Sequence, residues 1–314
     1  MADTLVVNEI YLSLQGESTF AGLPCVFVRL TACNLRCSYC DTAYAFTEGR
    51  RQPLSEVLAE VRRLAAPFAN RWGETPSSQA QHAAHDKGRA REDSRPTVES
   101  RAGEATLRGA QQSPVGSQGS TESRPTTKAL TFETRDPKSE TRISCRLPLI
   151  ELTGGEPLLQ PAALPLMKAL CDVGFTVLLE TSGALDIAPV DPRVRRIMDL
   201  KCPSSGEVGR NRWENLRHLQ ATDEVKFVIG TVEDYDWAKR VIAEHGLAAV
   251  CPLLFSWVAP LVPHQQDKSL KAVPPGQTPL SRRELAERII ADALPVRFQV
   301  QMHKAIWPPE QRGV

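Results

Sequence analysis

The 314 residues suffice for one large α/β domain or two small ones, and 38 Lys+Arg against 37 Asp+Glu leave neither a basic field for nucleic acid nor an acidic tail for a basic partner. No apolar run approaches the ~20 residues of a membrane span, and Met1 to Glu9 lacks the basic start and apolar core of a signal peptide. Eight cysteines, three of them clustered, suit a reducing compartment, so a cytoplasmic protein with no nucleic-acid or membrane partner is expected.

Val6 to Leu14 alternates in character and reads as a strand that ends in the turn Gln15-Gly16-Glu17-Ser18. Cys25 to Leu30 is short, continuous and rich in β-branched residues, as a buried strand is. It delivers Arg29 to the edge of the next loop. An arginine there is costly to bury without an anion, so it either reads a ligand carboxylate through its planar fork or forms a rim ion pair, for example with Glu17.

The next loop carries Cys33, Cys37 and Cys40, with three and two residues between them. Three thiolates at such spacing suit an iron–sulfur cluster with one position left open. A structural zinc site normally takes four protein ligands, usually as two separated pairs, and Cys25, Cys145, Cys171, Cys202 and Cys251 are scattered singly. Thiols without metal, or zinc with a distant fourth ligand, stay open as alternatives.

Leu54, Val57, Leu58, Val61 and Leu64 follow Pro53 at helical spacing. The stretch from Gly73 to Arg142 then holds five large apolar residues in seventy, too few to offset its ordering entropy, and is expected to be a disordered insertion. Leu147 to Thr153 reads as a strand running into Gly154-Gly155-Glu156-Pro157, whose glycines let backbone approach a ligand. A helical stretch (Leu164, Met167, Leu170), a strand from Gly174 to Glu180, a strand from Arg195 to Lys201 and a helical turn at Trp213 follow. Beyond these come a strand from Glu224 to Gly230, a helix from Tyr235 to His245, a strand from Ala249 to Trp257 and a Pro-rich loop over 260-280. A helix from Ser281 to Leu294, with Ser281 and Glu284 placed as a capping box, precedes the last segment, Val296 to Lys304. Strands alternating with helices predict a parallel α/β sheet whose ligand loops follow the strand C-termini. The 73-142 insertion, joining a helix to the next strand, belongs on the opposite face and should be dispensable for chemistry.

Cys33-x3-Cys37-x2-Cys40 with Tyr39 resembles the signature of the radical S-adenosylmethionine (SAM) enzymes. Tyr11-Leu-Ser-Leu-Gln-Gly-Glu17, Cys40-Asp-Thr42, Thr153-Gly-Gly-Glu-Pro157, Glu180-Thr-Ser-Gly183, Asp199-Leu-Lys-Cys-Pro-Ser-Ser205 and Gln301-Met-His-Lys304 narrow the resemblance to the 7-carboxy-7-deazaguanine synthase family, over about 1-70 and 145-308. The resemblance implies a single radical SAM domain over 1-314, folded as a partial (incomplete) TIM-like barrel. It also implies conversion of 6-carboxy-5,6,7,8-tetrahydropterin to 7-carboxy-7-deazaguanine with release of ammonia, on the route to queuosine and related deazapurines.

The implied cofactors are a 4Fe-4S cluster on Cys33, Cys37 and Cys40, SAM, and Mg2+ at Thr42. SAM contacts are implied for Tyr39, Asp41, Gly155, Glu156, Ser182, Lys201 and Lys226. The pterin side falls to Leu14, Gln15, Gly16, Glu17, Arg29, Thr153, His303 and Pro308. A reductant protein such as flavodoxin or ferredoxin and a homodimer are the implied partners. The chain departs from the family in its length, its insertion and the residues that follow Pro308. The rival readings are a radical SAM enzyme that installs a glycyl radical on another protein, which leaves Gln15-Gly16-Glu17 with Arg29 unexplained, and a zinc-dependent scaffold, which would be colourless.

Overall fold

Among the described residues nine strands lie side by side in one open sheet: β1 (Thr4–Leu14), β2 (Pro24–Leu30), β3 (Arg50–Pro53), β4 (Leu149–Gly154), β5 (Val177–Thr181), β6 (Arg195–Asp199), β7 (Glu224–Ile229), β8 (Leu253–Trp257) and β9 (Arg297–Gln299). The computed structural model describes residues 3–69, 145–308 and 311–314. The insertion expected over 73-142 lies outside the described residues. The spatial order is β3-β1-β2-β4-β5-β6-β7-β8-β9. From β2 to β9 every pairing is parallel, while β1 runs antiparallel to both β2 and β3. The curved sheet does not close, which makes a partial barrel.

Alternation along the strands separates two interiors. On β4, Ile150 and Leu152 face the helix-covered core, whereas Leu149 packs inside the barrel with Cys25, Leu178, Ile197 and Leu254. On β7, Val225, Phe227 and Ile229 likewise join the outer core, which sends Glu224, Lys226 and Val228 inward. The outer core is closed by α1 (Leu54–Ala69), α2 (Ala163–Asp172), α3 (Val232–Glu244) and α4 (Arg282–Ala291); a short α5 (Met302–Ile306) follows β9. Val57 and Val61 of α1 and Leu166, Met167 and Leu170 of α2 are buried in it. No helix among the described residues is long and apolar enough to cross a membrane.

The expected elements form, with four differences. β3 has no apolar pattern and exists through its pairing with β1, from Thr4↔Pro53 to Val7↔Arg50. The connections after β5 and β6 contain no α-helix among the described residues; the second is made of 3-10 turns at Pro203–Ser205, Val208–Arg210 and Trp213–His218. Pro189, Pro192, Pro203, Gly206 and Gly209 interrupt any helical run there. α3 starts three residues before Tyr235 because Thr231 and Asp234 form a reciprocal capping box. The final segment is a three-residue strand followed by α5, which carries His303 and Lys304. The Ser281–Glu284 capping box is present at α4.

Candidate active site

The C-terminal ends of the parallel strands open onto a cavity of about 550 Å³, a volume typical of small-molecule sites. Its wall includes Cys33, Cys37 and Cys40, and no other cysteine lines it. All eight cysteines are free thiols. The Leu35 N–H donates to Cys33 Sγ at 3.4 Å, and Thr42 Oγ1 lies 3.9 Å from Cys40 Sγ. Burial raises the Cys33 and Cys37 thiols, with the Lys201 ammonium acting against it, and pushes Cys40 up to about 12 with help from Asp41. These thiols therefore lose protons when a metal binds them. Among the described residues no three His, Cys, Asp or Glu side chains converge on a single metal ion. Three thiols with no fourth cysteine on the wall are one ligand short of a structural zinc site. The donor set fits a cluster with one open iron.

The two glycines after β4 serve the cysteine loop. A Cβ on Gly154 (φ +123°) would lie 2.2 Å from the Leu30 carbonyl oxygen, and one on Gly155 would lie 1.9 Å from that of Ala32 and 3.0 Å from Cys33 Cβ. Their close approach lets Gly155 N donate to Leu30 O at 3.1 Å and Glu156 N to Ala32 O at 2.8 Å. Ala32 is thereby held at φ 79°, a left-handed conformation that costs a non-glycine residue ~1 kcal/mol. Backbone atoms cannot retreat as a flexible side chain can, so Gly155→Ala should lower stability by ~3 kcal/mol or more and impair iron loading. Denaturant unfolding and iron content per chain check this.

Deeper in the cavity, Lys226 Nζ donates to Glu180 and lies 3.5 Å from Glu17 Oε2. Thr153 Oγ1 donates to the other Glu180 oxygen at 2.7 Å. Burial alone would raise the Glu180 carboxyl, yet Lys226 and these hydrogen bonds hold it at about 2. Glu17 also accepts from Ser256 Oγ at 3.3 Å and Gln301 Nε2 at 3.2 Å. Beside this group Lys201 pairs with Asp199 at 2.6 Å, and both face the cavity.

Arg29 reaches Glu9 through Nε at 2.7 Å and the Tyr11 hydroxyl through Nη2 at 2.7 Å. Its partner is Glu9 rather than Glu17, because the two residues face each other across the β1–β2 ladder.

The C-terminal segment closes the other side. Lys304 of α5 pairs with Asp41 at 2.6 Å, and Gln301 Nε2 donates to Asp41 Oδ2 at 3.0 Å. Burial raises the Asp41 carboxyl, but the Lys304 charge and hydrogen bond outweigh it and leave it at about 2. A carboxyl lowered on folding contributes stability above its unfolded value near 4 and loses it as pH falls through about 2. Acid unfolding of Lys304→Met should therefore be less steep over that window than that of the wild type, which a pH series of thermal melts tests.

Of the residues expected at the site, Tyr39, Asp41, Thr42, Gly155, Ser182, Lys201 and Lys226 line the cavity, as do Leu14, Gln15, Gly16, Glu17, Arg29, Thr153 and His303. Two of the expected residues, Glu156 and Pro308, do not line the cavity. Glu156 is fully buried off the wall, accepting from Leu158 N at 3.0 Å, Thr181 Oγ1 at 2.9 Å, and Ser182 N and Oγ at 2.8 and 2.6 Å. With both oxygens engaged, pairing with an ammonium requires one of these donors to yield. Pro308 is exposed and off the wall, while Gln311 to Val314 lie on it. Sequence reasoning gave no role to Glu9, Glu151, Glu180 and Asp199, nor to the wall residues Trp257 to Ala259 and, in the Pro-rich loop, His264 to Asp267. Glu151 had a visible signal: an acid inside an otherwise apolar strand needs a reason to be there.

No protein-family model matches the chain. It is 34% identical over 310 residues to 7-carboxy-7-deazaguanine synthase from Koribacter versatilis (strain Ellin345), covering 98% of this chain and 99% of that one. The corresponding protein from Chlorobaculum tepidum is 33% identical over 313 residues, covering 99% and 97%. A crystal structure of QueE from Escherichia coli shares the fold, with a TM-score of 0.52 at 17% identity over 95% of this chain and 94% of that one. With identity at this level along nearly the whole of both chains, the protein belongs to the 7-carboxy-7-deazaguanine synthase family.

Proposed function

We propose that this enzyme converts 6-carboxy-5,6,7,8-tetrahydropterin to 7-carboxy-7-deazaguanine and ammonia, using a 4Fe-4S cluster, SAM and Mg2+. The observation that carries the reading is that three thiols line the same cavity as Arg29, Thr153 and the Gln15-Gly16-Glu17 turn. When bound, the reduced cluster and SAM supply the radical that removes a substrate hydrogen, chemistry that belongs to the cofactor while the protein binds and orients.

In this reading Cys33, Cys37 and Cys40 hold the cluster. Tyr39, Asp41, Gly155, Ser182, Lys201 and Lys226 surround SAM, and Glu156 acts from beneath by fixing Ser182. Arg29 takes the substrate carboxylate, with Glu9 and Tyr11 aiming its guanidinium. The Gln15 amide is locked by its own loop, so the 14–17 turn offers backbone groups and the Glu17 carboxylate to the heterocycle. Thr42 presents a hydroxyl to Mg2+, which takes oxygen ligands and retains waters. His303 reaches the substrate from α5. Flavodoxin or ferredoxin serves as electron donor, and the chain works as a homodimer.

The test is an anaerobic assay of reconstituted protein with dithionite, SAM, Mg2+ and the tetrahydropterin, following 7-carboxy-7-deazaguanine and 5′-deoxyadenosine by mass. Both products are expected. Deoxyadenosine without deazaguanine would keep the radical chemistry and reject the substrate.

A further inference from the structure

Glu151 projects from the middle of β4 into the cavity and is 2% exposed. The only hydrogen bond of its carboxyl among the described residues is from Gln15 Nε2 to Oε2, at 3.1 Å. The polarity of that bond is fixed from the far side. Gln15 Oε1 accepts from the backbone N–H groups of Glu17 at 3.0 Å and Ser18 at 2.9 Å, so the amide must turn its NH2 toward Glu151. Glu151 Oε2 is then an acceptor in either protonation state, and a proton on this carboxyl resides on Oε1.

The neighbours decide whether that proton is held. The groups that face Glu151 are Tyr11 of β1, Glu17 in the turn after it, the Cys25 thiol of β2, Glu180 of β5 and Lys226 of β7. Arg29 of β2 is engaged by Glu9 and Tyr11. Three carboxylates, Glu17, Glu151 and Glu180, thus share one ammonium. Lys226 bonds to Glu180 and approaches Glu17, and each of those acids has further donors, whereas Glu151 has one amide. A buried carboxylate with one neutral donor beside another carboxylate is the group that keeps its proton. Burial, with the Glu180 charge adding to it, pushes the Glu151 carboxyl up to about 8.

We propose that Glu151 determines substrate specificity as a neutral carboxylic acid: Oε2 is anchored by Gln15, and the Oε1 hydroxyl donates to a carbonyl or ring-nitrogen acceptor of the heterocycle. This rests on the pterin reading of the site. It gives the cavity a donor that a carboxylate could not provide, and it removes a like charge from beside Glu180.

The test compares reconstituted wild type with Glu151→Gln and Glu151→Leu by titration with 6-carboxypterin, a stable oxidised analogue, between pH 6 and 9. Glutamine keeps a donor at every pH, so the ratio of wild-type to Glu151→Gln affinity cancels the ionisation of the ligand itself. That ratio should fall as pH rises through about 8, and Glu151→Leu should bind roughly tenfold more weakly or worse at neutral pH. A ratio that is flat with pH overturns the proposal. So does a folded Glu151→Leu protein that binds as tightly as the wild type. Infrared difference spectra give a ligand-independent readout: the carbonyl band of a protonated acid should be present at pH 7 and absent in Glu151→Gln, and its persistence there overturns the proposal alone. A wild type that binds no pterin at any pH rejects the substrate reading, and the proposal with it.

Discussion

Replacing Cys37 with alanine should leave a folded protein that retains no intact 4Fe-4S cluster and has lost essentially all turnover. The three thiols are the only cysteines on the cavity wall, so no nearby sulfur can replace the lost ligand. With only two thiolates left, half of the cluster's irons would have no protein ligand, too few anchors to keep it intact. Cys202→Ala is the control. That thiol is fully buried, does not line the cavity and makes a weak bond to Leu200 O at 3.7 Å. Its loss should cost on the order of 1 kcal/mol and spare the cluster. Iron content, visible absorption and deoxyadenosine formation separate the two variants. Because assembly must deprotonate buried thiols, cluster reconstitution should also go further at pH 8.5 than at pH 6.5.

Lys226→Met should be the most damaging change among the polar residues. Its side chain is 5% exposed and is the cation that Glu17 and Glu180 share. Taking away one partner of a buried ion pair typically costs ~3–5 kcal/mol, because the other charge is left unpaired. Without the ammonium, Glu180 no longer has the attraction that holds it at about 2, and burial drives its carboxyl upward. A carboxyl raised above its unfolded value binds a proton on folding, so the variant should become less stable as pH rises above that unfolded value near 4.5 and recover toward acid pH. The double variant Lys226→Met, Glu180→Gln should regain most of the lost stability while turnover stays low. Thermal melts across pH report the first effect and steady-state kinetics the second. If Lys226→Met melts at the wild-type temperature at pH 8, the shared-cation account of this cavity fails.

The barrel explains why chemistry-bearing side chains sit where they do. Outward positions of the strands are apolar because helices cover them, as with Val225, Phe227 and Ile229. Along β4 the inward positions run from apolar Leu149 at the base to polar Glu151 and Thr153 toward the C-terminal end, whereas β7 sends Glu224 inward at its start and Val228 near its end. The cavity therefore rests on the packed layer of Cys25, Leu149, Leu178, Ile197 and Leu254, which supports the polar groups from below.

What the sequence determined by itself is local in origin. Three cysteines within eight residues are neighbours in almost any loop, and the Ser281–Glu284 cap needs only one helical turn. Strand periodicity along Glu224 to Ile229 assigns Val225, Phe227 and Ile229 to one face whatever the sheet's neighbours are. Arg29 was visible as a charge at the end of an apolar strand, but its partner Glu9 follows from the antiparallel register of β1 and β2. Only tertiary structure could bring Glu17, Glu180 and Lys226 together, since Lys226 and Glu17 are 209 residues apart. It also decided that the two glycines after β4 admit the backbone of the cysteine loop, and that α5 anchors on Asp41 through Lys304. The physical reason is the same in each case. Periodicity reports which face a residue occupies, whereas the charge state and partner of a buried group depend on what other strands place opposite it.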